Sequence, residues 1–268
     1  MIMEFFKLWL EGFAVVLFFM TAIWLWSVSL KNAGIVDPFW GLGFVVVSWW
    51  FAWRLWPVDL LQAIILAMVS LWGMRLFIYL FIRNYGKEED YRYQQFRKNY
   101  GAHRYWWFSF FQVFMLQGVL LAFISVSILG GIFPQEGGPN NPTIIAVLAA
   151  VFWLIGFFFE SVGDFQMARF KANPQNKGKV MDKGLWRYTR HPNYFGDAMV
   201  WWGFALFSVY NGYYWAIAGA VVMTWLLLKI SGVAMLERNL KTRRPGYEQY
   251  IQRTPAFFPW FPRKQESQ

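Results

Sequence analysis

Apolar residues in this chain form long runs, and polar residues gather in the short stretches between them. A helix that crosses a bilayer needs roughly 20 mostly apolar residues, and its backbone groups must bond within the helix. Seven runs meet or nearly meet this length: 5–30, 36–56, 58–82, 105–133, 143–166, 194–210 and 212–235. The sixth run is short, and Asn211-Gly212 predicts a turn between it and the seventh. The pattern predicts an all-α, polytopic integral membrane protein in which residues 1–268 form a single membrane domain.

Lysine and arginine fall almost entirely in alternate connections between the predicted transmembrane helices. One set of connections carries Lys7 and Arg54, whereas the other set carries 22 basic residues. Because cytoplasmic loops carry the excess of positive charge, we expect about seven transmembrane helices, with the N-terminus outside and the C-terminus in the cytosol. Glu4, Glu11 and the lack of a small-residue cleavage site favour a retained first helix over a signal peptide.

Composition and net charge narrow the classes of ligand and chemistry that this protein can have. Hydrophobic residues make up 57% of the chain and charged residues 15%, below the ~25% charged residues that are usual in soluble domains. The net charge of +10 fits cytoplasmic loops or an anionic ligand; nucleic acid is not expected, because the basic residues flank apolar runs. The absence of cysteine excludes thiolate chemistry, and two histidines predict no metal site. Expected partners are membrane lipids and a hydrophobic small molecule. No obligate protein partner is expected, and no long GxxxG pattern, which would indicate helix association, stands out.

Ionisable residues inside a transmembrane segment are costly and indicate function. Five predicted helices carry polar residues near their cytosolic ends: Asp37; Arg75 with Tyr79; Glu160 with Asp164; Asn193 with Asp197; and Glu237 with Arg238. Residues four apart share one helix face, so this pattern predicts a polar cavity open to the cytosol, beneath loop cations suited to phosphate. Two structural alternatives stay open: Arg75 pairs with Asp37 as a buried ion pair, and the loop cations only fix the topology.

Two stretches carry a resemblance to a known family. RHPNYFGD, at 190–197, resembles the signature of membrane sterol reductases of the sterol C14-reductase and lamin B receptor group, and LERNLKTRRPGYEQYIQRTPAFFPWF resembles their C-terminal pattern. Residues 155–262 also resemble the C-terminal domain of steroid 5α-reductases, and VDPFWGLGF is similar to an uncharacterised bacterial branch of that superfamily.

This resemblance implies a membrane-embedded reductase that uses NADPH to reduce a C=C bond of an enone in a steroid-like or isoprenoid lipid. The protein would lie in a bacterial inner membrane, with residues 1–104 on the substrate side and a cofactor-binding region at 143–262 that faces the cytosol. The resemblance assigns ten residues to the cofactor: Asp164, Lys171, Arg187, Tyr188, Arg190, His191, Asn193, Tyr194, Asp197 and Tyr247. Glu160 and Arg238, at cytosolic helix ends, complete the predicted cofactor-binding set.

Three residues are candidates to polarise the substrate carbonyl: Asp37, Arg75 and Tyr79. In 5α-reductases a Glu–Tyr pair has this role. Asp37 falls in the matching region, and Trp72 stands where the tyrosine is expected.

The main alternative is an S-adenosylmethionine-dependent methyltransferase. Isoprenylcysteine carboxyl methyltransferases and related phospholipid methyltransferases have a similar RHPxYxG loop and a Glu-rich C-terminal end with spaced tyrosines. Glu237, Tyr247 and Tyr250 fit that pattern. The combination of Asn193 and Asp197 favours the reductases. A third interpretation is a membrane scaffold with a degenerate cofactor site. The complete set of polar residues at the cytosolic helix ends disfavours it.

Overall fold

The computed structural model describes residues 1–101, 103–135, 141–230 and 246–263, and no strand occurs among them. The helices in this part of the chain are α1 (Ile2–Leu30), α2 (Val36–Arg54), α3 (Leu60–Asn84), α4 (Tyr91–Tyr100), α5 (Tyr105–Ser109), α6 (Leu116–Ile124), α7 (Val126–Ile132), α8 (Thr143–Ala172), α9 (Pro192–Tyr210), α10 (Ile217–Trp225) and α11 (Tyr247–Arg253). The π-helical segments Phe110–Met115 and Leu226–Ile230 follow α5 and α10.

Five helical stretches are long and apolar enough to cross a membrane: Ile2–Leu30, Ala33–Arg54, Leu60–Asn84, Tyr105–Ile132 and Thr143–Ala172. They confirm the first five predicted runs and the prediction of an integral membrane protein. Helix α9 has 19 residues and is not among the five, because Asn193 and Asp197 make its first turns polar. The seventh predicted run corresponds to the shorter apolar stretch Tyr214–Ile230, and its end at 235 lies outside the described residues.

The chain divides into two compact units. Unit 1 comprises Met1–Pro139 with Asn211–Tyr213, and unit 2 comprises Asn140–Tyr210 with Tyr214–Gln268. The predicted region 1–104 lies in unit 1, and the predicted cofactor region 143–262 lies in unit 2 apart from residues 211–213.

In unit 1, glycines let the helices approach closely. A Cβ added to Gly73 of α3 would lie 2.7 Å from the Gly41 carbonyl oxygen of α2, and one added to Gly12 of α1 would lie 2.3 Å from the Phe51 ring. Helix α3 begins with a capping box: the Asp59 carboxylate accepts from the Gln62 N–H at 2.8 Å, and the Gln62 side chain accepts from the Asp59 N–H.

The predicted Asn211-Gly212 turn is confirmed. Gly212 has a φ of 86°, which glycine adopts without steric cost. The Asn211 amide donates to the Gly131 carbonyl oxygen at 2.7 Å. This bond ties the turn to the end of α7, within unit 1.

Unit 2 is built on the crossing of α8 and α9. The α8 residues at the crossing recur three or four positions apart, as on one helix face: Ala149, Trp153, Gly156, Glu160 and Gly163. A Cβ on Gly196 of α9 would lie 2.4 Å from the Glu160 nitrogen and 2.5 Å from the Gly156 oxygen, so the two backbones touch. The glycines on α8 are seven residues apart, which explains why no GxxxG pattern stands out in the sequence.

The segment before α9 is held by α8 and by the C-terminal segment. The Trp186 indole donates to the Gly163 carbonyl at 3.0 Å, and the Tyr250 hydroxyl of α11 donates to the Trp186 carbonyl. The Thr189 hydroxyl donates to the Phe257 carbonyl at 2.8 Å. The RHPNYFGD stretch therefore starts from a fixed position in unit 2.

Candidate functional site

The α8–α9 crossing brings three of the predicted cofactor-binding residues together. Asn193 Nδ2 donates to Asp164 Oδ1 at 3.2 Å. A Cβ on Gly163 would lie 3.3 Å from the Asn193 nitrogen, so the glycine next to Asp164 allows this approach. Glu160 and Asp164 are 3% and 5% exposed. The two predicted i,i+4 pairs of α8 and α9 thus meet through the Asp164–Asn193 contact.

One atom of this cluster points to a ligand. Asn193 Oδ1 is buried and has no hydrogen-bond partner among the described residues. A buried polar atom without a partner costs free energy, and a ligand that donates an N–H or O–H to Asn193 would remove this cost. Asp197, one turn further along α9, is half-buried.

Four residues of the predicted cofactor set, at the end of α8 and before α9, fall into two groups. Lys171, Arg187 and Tyr188 are exposed and can reach a ligand. Arg190 is 8% exposed, and its Nη1 donates to the carbonyl oxygens of Ile251 at 3.1 Å and Thr254 at 2.5 Å. Arg190 therefore binds the last carbonyls of α11, where a positive charge is favourable.

The remaining cofactor candidates pack within unit 2. The His191 ring stacks on Tyr194 at 5.5 Å with an interplanar angle of 11°. Tyr247 is buried, with its ring 5.9 Å from Tyr250. Burial raises the pKa of the Tyr250 phenol above its ordinary value, and Tyr247 raises it further. Arg238 lies outside the described residues.

Unit 1 holds a second polar cluster, around Asp37. Arg92 Nη2 donates to Asp37 Oδ2 at 2.8 Å, and the Tyr93 hydroxyl donates to Asp37 Oδ1 at 2.6 Å. Asp37 thus has Arg92 as an ion-pair partner, which the sequence did not suggest; the alternative pairing with Arg75 stays a prediction. Gln117 of α6 also hydrogen-bonds the Tyr93 side chain.

The electrostatics of this cluster keep the Tyr93 phenol protonated. Tyr93 is 4% exposed, and burial raises its pKa well above the ordinary value; the Asp37 carboxylate raises it further. Burial lowers the pKa of the Arg92 guanidinium, but the attraction of Asp37 and a hydrogen bond to Asp90 outweigh it and raise the pKa overall. The other two residues predicted to polarise the substrate, Arg75 and Tyr79, lie one turn apart on α3 and are half-buried.

The part of the chain that matches a known protein family contains both polar clusters. A sequence-family profile described as "Protein of unknown function (DUF1295)" matches residues 23–254. The chain belongs to the DUF1295 family. The matched region begins before Asp37 and ends one residue after α11, so it contains every residue of the two clusters.

Similarity of this DUF1295 chain to a curated protein is more distant. It is 24% identical over 293 residues to a Schizosaccharomyces pombe protein named "Uncharacterized protein C594.04c", and the match covers 88% of this chain and 75% of that protein. No solved structure matches the chain with significance.

Sequence reasoning missed Arg92 and Tyr93 of this DUF1295 protein because they lie on α4, a charged helix outside the apolar runs. The signal was present: Asp90 is the N-cap of α4 and accepts from the Arg92 N–H at 3.0 Å, and aspartate before a mixed polar and aromatic stretch predicts a helix start. The pairing of Tyr93 with Asp37, 56 residues earlier, required the fold.

Proposed function

We propose that this protein is a membrane-embedded reductase that uses NADPH to reduce the C=C bond of an enone in a steroid-like or isoprenoid lipid. The observation that carries the proposal is the Asp164–Asn193 hydrogen bond, which leaves Asn193 Oδ1 as a buried acceptor without a partner among the described residues. A nicotinamide carboxamide or a ribose hydroxyl group would donate the hydrogen bond that this acceptor needs, and Asp164 and Asp197 would accept from further ribose hydroxyls.

Cations for the cofactor phosphates come from the ends of the same elements. Lys171 lies in the last turn of α8, Arg187 lies in the segment before α9, and both are exposed. Arginine and lysine are the residues that proteins use to hold phosphate. Because the Arg190 guanidinium already donates to two carbonyls of unit 2, we assign the phosphates to Lys171 and Arg187 first.

The proton donor is assigned to unit 1. When bound, NADPH supplies a hydride; the protein must then stabilise charge on the substrate oxygen and deliver a proton. In the structure the Tyr93 hydroxyl is shielded from water and donates its hydrogen to Asp37 Oδ1 at 2.6 Å; in this proposal it turns that hydrogen to the substrate when it acts as the proton donor. A carboxylate–phenol pair is what the resemblance to 5α-reductases leads one to expect, and in this proposal Tyr93 serves in the role of the tyrosine that is absent at Trp72.

Asp37 then acts as a positioning residue, and Arg92 holds it through the ion pair at 2.8 Å. Arg75 and Tyr79 stay candidates for contacts with the substrate. In this account the protein has seven transmembrane helices with the N-terminus outside, in a bacterial inner membrane, and the cofactor site faces the cytosol. The alternation of basic connections supports that orientation.

A methyltransferase is the second candidate. The observation in its favour is that three carboxylates, those of Glu160, Asp164 and Asp197, lie around the α8–α9 crossing, and negative charge attracts the sulfonium cation of S-adenosylmethionine. Methyl transfer gives no role to the Asp37–Tyr93 pair, which is the reason we rank it second.

Two substitutions in α9 test the proposal. Asn193→Ala and Asp197→Ala each remove hydrogen bonds worth about 1–3 kcal/mol and should weaken NADPH binding by about 5- to 150-fold. Binding is read from the fluorescence of the reduced nicotinamide on detergent-purified protein. Asn99→Ala on the exposed surface of α4 is the matched control and should bind NADPH as the wild type does. Wild-type NADPH affinity in both α9 variants would show that the cofactor does not bind at this crossing.

A further inference from the structure

A cavity of about 460 Å³ opens beside the C-terminal end of α11 in unit 2. Three arginines line it, Arg190, Arg253 and Arg263, and no acidic side chain of the described residues does. The backbone N–H of Arg263 donates to the Arg253 carbonyl oxygen at 2.9 Å, which fixes these two residues side by side. The cavity therefore concentrates positive charge in a defined place.

Arg253 and Arg263 keep N–H donors for a ligand. Arg253 Nη2 forms an ion pair with Asp182 at 3.1 Å, and its Nε has no hydrogen-bond partner among the described residues. The Arg263 side chain is exposed. Guanidinium N–H groups of this kind bind the oxygens of a phosphate, often two at a time.

Aromatic rings line the same cavity. Phe258, Trp260 and Phe261 are 73%, 73% and 74% exposed. Their backbone is held in place, since the Trp260 N–H donates to the Tyr188 carbonyl at 2.9 Å. Exposed tryptophan and phenylalanine next to arginine are typical of segments that lie in the headgroup region of a bilayer.

The position of the cavity along α8 agrees with a location in the headgroup region of the bilayer. The apolar part of α8 ends at Phe159, and Glu160 is its first acidic residue. Gly163, one turn later, packs against Pro192, the first residue of α9. Arg190 lies two residues before Pro192, so the cavity that it lines lies near the level at which α8 leaves the apolar layer.

We propose that this cavity binds the headgroup phosphate of an anionic phospholipid, with Arg253 and Arg263 on the phosphate and the three rings against the upper acyl chain. A free anion would need the arginines alone, whereas a lipid also covers the exposed rings. This inference does not rest on the proposed reductase activity.

Lipid titration of the delipidated, detergent-purified protein, followed by native mass spectrometry, tests the site. Phosphatidylglycerol should bind at least tenfold more tightly than phosphatidylcholine with the same acyl chains, because choline brings a cation towards three guanidinium groups. Arg253→Gln combined with Arg263→Gln should remove this preference. Arg263→Glu is the second variant, since this exposed side chain near the chain end can be changed without disturbing the packing.

The control is Lys98→Gln combined with Arg104→Gln, which removes two exposed positive charges from unit 1 and should leave the preference unchanged. Equal binding of the two lipids, or equal loss in the control, overturns the proposal. Displacement of phosphatidylglycerol by millimolar inorganic phosphate assigns the cavity to a free anion, and displacement by NADPH assigns it to a dinucleotide; either result also overturns it.

Discussion

Gly196→Ala tests whether the α8–α9 crossing sets the geometry of the candidate site. The new Cβ would lie 2.4 Å from the Glu160 nitrogen and 2.5 Å from the Gly156 oxygen, about 1 Å closer than ordinary van der Waals contact. Both atoms belong to helix backbone, so relief requires the helices to separate. Overpacking of this kind costs about 1–3 kcal/mol.

Gly118→Ala in α6 is the matched control. Its Cβ would meet the flexible Met20 side chain at 3.3 Å, and both substitutions gain about 1 kcal/mol in helix propensity. The difference between the variants therefore reports the crossing alone, and about 1–3 kcal/mol corresponds to roughly 2–12 °C in melting temperature for a chain of this size.

Unfolding in detergent can be followed by intrinsic tryptophan fluorescence. Gly196→Ala should melt below Gly118→Ala by that amount and should also bind NADPH more weakly, because separation of the helices moves Asp164 away from Asn193. Equal melting temperatures for the two variants would refute the view that direct backbone contact holds this site together.

Three further predictions concern single side chains. Arg92→Gln leaves the Asp37 carboxylate without its cation and should destabilise the protein by roughly 1–3 kcal/mol, between the values for exposed and buried pairs; an unchanged melting temperature would show that Asp37 needs no such partner. Tyr93→Phe should keep NADPH affinity while lowering enone-dependent NADPH oxidation by about 10²–10⁴, and loss of affinity alone would contradict its role as proton donor. Burial raises the folded-state pKa of Tyr250, so the stability from this shift is present below about pH 10 and is lost as the pH rises towards the folded-state value. Tyr250→Phe should cost about 1 kcal/mol at neutral pH through the lost bond to Trp186, and its melting temperature should fall less between about pH 9 and 11 than that of the wild type; an equal fall would contradict the shift.

The transmembrane helices could be predicted because their signal is local. The run 105–133 and the helical stretch Tyr105–Ile132 agree almost to the residue, since the thickness of a bilayer fixes the length of an apolar helix. Helix α9 shows the limit of this rule: its polar first turns, which suggested a site, also lower its hydropathy.

Contacts between distant residues could not be predicted in the same way. The resemblance assigned Arg190 to the cofactor, but its Nη1 donates to carbonyls 61 and 64 residues later. Likewise, Asp37 meets Tyr93 only because α4 packs beside the start of α2. One missed signal was local: glycines seven residues apart, Gly156 with Gly163 and Gly196 with Gly203, predict a helix face for close packing.

The most direct test of the account compares two cofactors on the same purified wild-type protein. A ligand that binds the folded protein raises its melting temperature. We expect NADPH to raise the melting temperature in detergent and S-adenosylmethionine to leave it unchanged, with the NADPH effect lost in Asn193→Ala. Stabilisation by S-adenosylmethionine alone would contradict the proposed reductase.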